Sequence, residues 1–418
     1  MRPLFMNFCI LERINMEEKI RKYANFLLLG CLRLNKEDKL FIIGYDLIKD
    51  FIDVIIEEAR KIGINDIEIL IESPHKQKEY YLSKTYEEII MSPLFDKTKY
   101  NKMAKEGYSF LKLTSTLPNY FKDVDAELLS KVSAYQMKTI EEYRTYQNKG
   151  LIKWNISAVP NEIWAKDLFG NADVERLWNL IFDVCLINEI DSVKVWNDKM
   201  ELLKKRAEYL NNLNIDKLVY KNSIGTNIEI GLPKGYLFQS AEGENLVNMP
   251  TEEVFTSPDR LKVNGKVYSS KVLIHNNNVI DEFWLEFKNG KVVNYDAKVG
   301  KDILKGIIET DEGSQYLGEV ALVDFDSPIS KTNVIFKNTL FDENASCHLA
   351  LGAGFSECIK NGLEKDNEEL LTMGINYSHE HVDFFIGTRD LNIIAILQNG
   401  EEIVIMENGN FVEKRIDL

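Results

Sequence analysis

The sequence predicts an α/β N-terminal domain with a mainly parallel sheet, followed by a β-rich α+β C-terminal domain. Three observations carry this. Through the first half, short apolar runs alternate with amphipathic stretches, the pattern of strands and helices in a parallel sheet covered on both faces. After about residue 214 the chain changes to short runs of Val, Ile, Phe and Tyr, and all five Asn-Gly pairs (opening at Asn264, Asn289, Asn361, Asn399 and Asn408) fall there. Asn-Gly suits the two-residue hairpin turn, whose central residues both need positive φ. Finally, 418 residues exceed what one small core holds, so two domains are the default.

Taken in order, residues 1–15 read as an N-terminal extension. Arg2 and the apolar residues after it faintly suggest a secretory leader, but Glu12 and Arg13 come too early for one. Residues 17–30 form an amphipathic helical pattern, Lys39 to Gly44 a buried strand, Asp46 to Lys61 a helix and Asp66 to Ile71 a second strand. Two more helical stretches lead to a strand at Tyr108 to Leu113, a long helix from Asp125 to about Tyr146, and a strand at Leu151 to Val159. Residues 172–213 read as two helices, the second (Asp191 to Asn212) so rich in charge that it reads as a solvated connector. The expected division is 16–210 for the α/β domain and 211–418 for the β-rich domain.

Composition narrows the function. A formal charge of −15 argues against a nucleic-acid partner, because counterion displacement from a phosphate backbone needs Lys and Arg. No apolar run approaches the roughly 20 residues of a membrane helix. The five cysteines (Cys9, Cys31, Cys185, Cys347, Cys358) are odd in number and form no C-x-x-C pair, as expected of reduced thiols in a cytoplasmic protein. Asn-x-Ser occurs at Asn155, Asn344 and Asn376, which in that compartment is chance.

The chemistry concentrates late in the chain, where three of the five histidines lie (His348, His379, His381). His381 and Asp383 are two apart in a strand-like run, so their side chains share a face; alone, the pair is a weak signal that a merely polar strand face explains better. Asn344 reads as the N-cap of a helix from Ala345 to Leu351, which would place His348 in its first turns near Asp342 and Glu343. Glu319 stands inside the apolar run Leu317 to Val323, where a carboxylate is costly unless paired, bound to a cation or at the strand's wet end. Of the neighbours Glu252 and Glu253, extended chain can aim only one at a given point. Imidazoles and carboxylates in this proportion are what zinc, cobalt or manganese bind.

These segments together resemble the thermophilic-type metallo-aminopeptidases (aminopeptidase T, aminopeptidase S and PepS). The matching stretches are Asn248 to Pro258, Leu317 to Val323, Asn338 to Gly352 and His381 to Gly387, with weaker echoes at Val159-Pro160, Trp164-Ala165 and Leu202 to Leu213. The likeness runs over nearly all of the chain from Met16 onward. It implies two divalent metal ions (Zn, Co or Mn) held by Glu253, Glu319, His348, His381 and Asp383, with Glu343 a further ligand or an acid/base group. It also implies a homodimer that removes N-terminal residues from short peptides with a free N-terminus. In the expected chemistry a metal-bridged hydroxide attacks the scissile carbonyl and Glu319 or Glu343 carries the proton to the leaving amine. One position departs from the pattern: a Tyr that helps stabilise the transition state is replaced by Phe355, and Tyr377 is the candidate to stand in for it. That departure leaves room for a catalytically impaired metal-binding homologue. Another two-metal hydrolase, acting on a phosphoester or a non-peptide amide, is the rival enzyme reading.

Overall fold

The structure, a computed structural model, describes residues 15–240, 245–275 and 278–412. Nearly all of the extension expected at 1–15 lies outside the described residues, and Asn15 already opens a helix. The chain divides into two compact units. One takes the chain up to Asn197 and a short segment ending at Pro250; the other takes the remainder from Asp198 onward.

The first unit is built on a five-stranded sheet in the order Ile67–Glu72, Lys39–Tyr45, Tyr108–Thr114, Trp154–Ala158, Asn248–Met249, with every pairing parallel. Leu40 to Ile43 are all buried, as a central parallel strand requires. Phe41 and Ile43 pack with Tyr100, Met103, Phe110 and Tyr143 on one face. On the other, a Cβ at Gly44 would lie 2.9 Å from Ile52 Cδ1, so the helix Lys49–Ile62 rests directly on the strand. That helix ends at Gly63, φ +99°, the left-handed cap that glycine adopts without a Cβ penalty. The expected long helix from Asp125 is two, Ala126–Thr139 and Glu141–Asn148. Asn101 reaches into the break, donating to Thr139 O at 2.7 Å and accepting from Tyr143 N–H at 3.0 Å. A side chain from elsewhere thus interrupts a pattern that was locally continuous.

The helix Ser192–Asn212 corrects the reading of a solvated connector. Trp196, Met200, Leu203, Ala207 and Leu210 are buried, and Lys199 and Arg206 lie on the same stripe, seven residues apart. Lys199 pairs with Glu252, and Arg206 pairs with Asp324 at 2.7 Å.

Among the described residues, the second unit holds two antiparallel sheets. The larger runs Leu273–His275, Asn278–Lys288, Val263–Tyr268, Asn227–Gly231, Ile215–Lys221, Asn392–Leu397, Glu402–Glu407, Asn410–Phe411, with Lys291–Val299 paired to Asn278–Lys288. The smaller runs His381–Phe385, His348–Gly352, Leu317–Leu322, Val254–Thr256, Gln239–Ser240. Asn289-Gly290 and Asn408-Gly409 have positive φ at both residues and close hairpins, as expected. Asn264-Gly265 instead lies within the strand Val263–Tyr268. There Gly265 has φ +120°, and a Cβ would meet Asn227 O at 2.4 Å. Its glycine serves a close approach between strands, which the dipeptide alone does not distinguish from a turn.

Candidate metal centre

Register in the smaller sheet builds the site. Glu319 pairs with Ala350, which pairs with Asp383, so these three form one row across three strands. Directly opposed residues of an antiparallel sheet share a face. His381 is two residues from Asp383, and His348 two from Ala350, so both join that face. Phe255 pairs with Ala321, two beyond Glu319, which brings Glu253 to the same side. The opposite face is Val320, Leu322, Leu349, Leu351, Val382 and Phe384, all buried. Ala350 thus stands between two acids with only a methyl group, leaving the space above it open to their side chains.

His348 corrects the helix expected at Ala345 to Leu351. Residues Glu343–Ala345 make one short 3-10 turn, and His348–Gly352 is a strand paired on both sides. A central strand buried on both faces reads as an unbroken apolar run, which periodicity cannot separate from a buried helix. Asn344 caps no helix. It is fully buried, accepts from Glu252 N–H at 2.7 Å, and donates to Leu340 O at 3.1 Å and Glu343 Oε1 at 3.4 Å. It therefore ties the segment entering Glu253 to the turn that carries Glu343.

Two groups of ligand atoms result, each with its atoms within 4.8 Å of one another: Glu253, Glu319 and His348, and Glu319, His381 and Asp383. Glu319 belongs to both. It is 5% exposed in mid-strand, which removes the wet-end explanation. His348 Nε2 lies 3.3 Å from Glu253 Oε2; His381 Nε2 lies 3.0 Å from Glu319 Oε2 and 3.3 Å from Asp383 Oδ1. The other ring nitrogens contact backbone carbonyls, His348 Nδ1 with Ser346 O at 3.1 Å and His381 Nδ1 with Ala353 O at 2.8 Å. A carbonyl only accepts, so both Nδ1 atoms carry protons, the arrangement that frees Nε2 of a neutral ring as a ligand. Glu252 points away to Lys199. Glu343 is in neither group; it lines a cavity of about 220 Å³ beside His381 and Asp383.

The electrostatics ask for a cation. Burial first, then repulsion within the cluster, push Glu253 and Glu319 up to about 7 against the pull of the histidines. Burial and the charges of Glu253, Asp383 and Glu319 hold Glu343 well above the carboxylate range. His381 rises to about 11: burial opposes this, but the carboxylates of Asp383 and Glu319 beside its ring outweigh it. One Nε2 proton can serve only one carboxylate oxygen, and Asp383 Oδ1 and Glu253 Oε2 are buried without a hydrogen-bond partner. Buried acceptors in that state are costly. A divalent ion in each group would relieve them, and the mixed oxygen and nitrogen donors suit zinc, cobalt or manganese.

Phe355 lies at this site, its ring 5.0 Å from that of His381 and 5.5 Å from that of Phe255. Tyr377 does not replace it: its ring packs 5.7 Å from His379, and it lines a different cavity. Sequence reasoning missed Ala350 and Lys199, and gave Asn344 a cap's role in place of the tie it makes between two segments. For Lys199 a signal existed, since it falls on the apolar stripe of its helix.

The thermophilic metalloprotease (M29) family model matches residues 16–411. Aminopeptidase AmpS of Bacillus subtilis is 34% identical over 404 residues, covering 94% of this chain and 98% of that one. Aminopeptidase 2 of Geobacillus stearothermophilus is 37% identical over 329 residues, covering 76% and 79%. The solved structure of wild-type AmpT from Thermus thermophilus superposes with a TM-score of 0.85 at 27% identity, covering 95% of this chain and 99% of that one. With the fold, the clustered ligands and these matches in agreement, the chain belongs to the thermophilic metalloprotease (M29) family.

Proposed function

We propose that this protein is an aminopeptidase that uses two divalent ions, one in each ligand group, to release the N-terminal residue of short peptides. The observation that carries the reading is the pair of ligand groups joined through Glu319. The comparisons support the activity, since the named relatives are aminopeptidases. Divalent ions supply Lewis acidity toward a carbonyl and acidify a water.

The protein's own residues do the rest. Glu253 and His348 would hold one ion, His381 and Asp383 the other, and Glu319 would bridge them. Ser346 O and Ala353 O fix the imidazole tautomers. Glu343 faces the cavity beside Asp383 and takes up a proton readily, which fits it to carry one to the departing amine. Asn344 holds that carboxylate through its amide. Among the described residues no helix is long and apolar enough to cross a membrane. From the family resemblance we extend a homodimer to this chain, and from its odd, scattered cysteines a cytoplasmic location. Phe355 favours a second reading, a metal-binding homologue with low turnover, because it brings no O–H to the site.

The test is metal content by mass spectrometry, with amino-acid release from a peptide panel before chelation, after it, and after add-back of zinc, cobalt or manganese. Two ions per chain and chelator-sensitive release are expected. Hydrolysis of p-nitrophenyl phosphate in place of peptides would favour the phosphoester reading, and metal binding without any release would favour the impaired homologue.

A further inference from the structure

Beyond the metal cluster, a second cavity of about 210 Å³ is lined by Arg260, Asp311, Gly313, Leu371, Tyr377 and His379, with exposed Glu312 at its rim. Arg260 stands out in it. Its guanidinium lies over the Tyr316 ring at 4.5 Å, and its Nε is buried with no hydrogen-bond partner. Among the described residues no carboxylate lies within ion-pair distance of it, although the chain carries a net charge of −15. A guanidinium held over a ring, with no carboxylate on it, can take one by two parallel N–H bonds.

Asp311, an acid of the same cavity, is already committed. Asp311 accepts from Ser314 N–H at 2.8 Å, His379 N–H at 2.7 Å and Ser378 Oγ at 2.9 Å. Those bonds hold its carboxyl below the usual range despite burial and knit the cavity wall together. Arg260 is itself anchored by its backbone N–H to Gly374 O at 2.9 Å.

Register relates this cavity to the metal cluster. The pairing of Leu317–Leu322 with His348–Gly352 shifts between Leu317 and Glu319. Gly318 is the extra residue, so Leu317 joins Leu351 on the core face. Tyr316, which is extended (φ −120°, ψ 157°), then returns to the face that carries Glu319. Three residues of strand separate Tyr316 from Glu319, roughly 10 Å. A tripeptide in extended form spans about the same, 3.3–3.6 Å per residue.

We propose that Arg260, stacked on Tyr316, anchors the C-terminal carboxylate of a short peptide, of about three residues, whose N-terminus lies at the metal cluster. This deepens the aminopeptidase reading and rests on it for the identity of the ligand. The anchor selects peptides with a free C-terminus over C-terminally blocked or much longer ones.

The test is equilibrium binding, which needs no turnover. A tripeptide whose first amide is replaced by a non-hydrolysable methylene-amine link, and its C-terminal amide, are titrated calorimetrically into the zinc-loaded protein and into Arg260→Met and Arg260→Lys. The wild type is expected to bind the acid about tenfold or more tighter than the amide. R260M should bring that ratio to about one, and R260K should leave it in between. Because the readout is a ratio within each protein, partial misfolding does not imitate the result. A wild-type ratio near one, or a ratio that survives in R260M, overturns the anchor. A preserved acid preference in a protein that releases no amino acid supports the anchor and sinks the aminopeptidase activity instead.

Discussion

Neutralising Glu319 should weaken both ions at once, whereas neutralising its neighbours should weaken one each. Glu319 is the one residue common to the two ligand groups. Glu319→Gln keeps the shape and one oxygen but lowers the charge of the three carboxylates Glu253, Glu319 and Asp383 by one. At an effective dielectric of about 20, a unit pair about 4 Å apart is worth roughly 4 kcal/mol, so a divalent ion loses roughly 8 kcal/mol of gross attraction. Less desolvation of the remaining ligands and the retained amide oxygen return part of this. The net loss should still exceed the ten- to hundredfold typical of partners that only support a ligand, so about a hundredfold or more in affinity is expected for each ion. Glu253→Gln should act on the His348 ion, and Asp383→Asn on the His381 ion, leaving the other within about tenfold. The assay is calorimetric titration of zinc into the chelated protein, with bound metal counted after dialysis. Two ions retained by E319Q, or both stripped by E253Q, would refute the shared-ligand arrangement.

Other consequences are open to measurement. Phe355→Tyr would bring a hydroxyl beside His381, and a single oxyanion donor is worth about two to three orders of magnitude. Turnover of an amino-acid p-nitroanilide should therefore rise with KM little changed, and an unaltered kcat would show that this position does not limit the rate. In the metal-free protein, the folded values of about 7 for Glu253 and Glu319 lie above the unfolded ones. The folded state therefore binds more protons between about pH 4.5 and 7, and stability should fall as pH rises through that window. Metal competes with those protons, so zinc affinity should rise over the same window; thermal melts with and without zinc at pH 5 and 7 check both signs. Ala350→Leu should fill the space between Glu319 and Asp383 and lower bound metal more than stability, whose loss should be about 1–3 kcal/mol. Gly265→Ala combines a φ of +120° with a Cβ 2.4 Å from Asn227 O, and should cost about 1–3 kcal/mol in urea melts.

How much of this was legible beforehand depended on whether a residue's role was local. His381 and Asp383 were readable because a strand's two-residue period fixes a shared face, and the structure puts them in His381–Phe385. The parallel sheet of the first unit was readable from alternation alone. His348 was singled out but set on a helix, because Leu349, Ala350 and Leu351 after it are buried by strands on both sides and show no period. The break at Ile140 was invisible for a related reason: Asn101, about forty residues earlier, makes it. The choice between Glu252 and Glu253 needed the partner of the residue not chosen, and that partner is Lys199, on a helix that looked like a solvated rod.

The same contrast explains why the ligands are so far apart in sequence. No single strand can bring these five groups to one point, because its alternate residues face away. Glu253 and Glu319 are held there in the folded state because three strands fix their backbones, not because their side chains are at ease; burial and mutual repulsion raise both. The apolar face of Val320, Leu349, Leu351 and Phe384 supplies the favourable side of that balance at about 25 cal/mol per Å² of surface buried. A site assembled by register can therefore be strained in its side chains and rigid in its backbone, as tight binding of closely spaced ions requires. The core behind the sheet is then part of the metal site in an energetic sense. A destabilising cavity at Leu349 should loosen metal binding even though Leu349 faces away from every ligand.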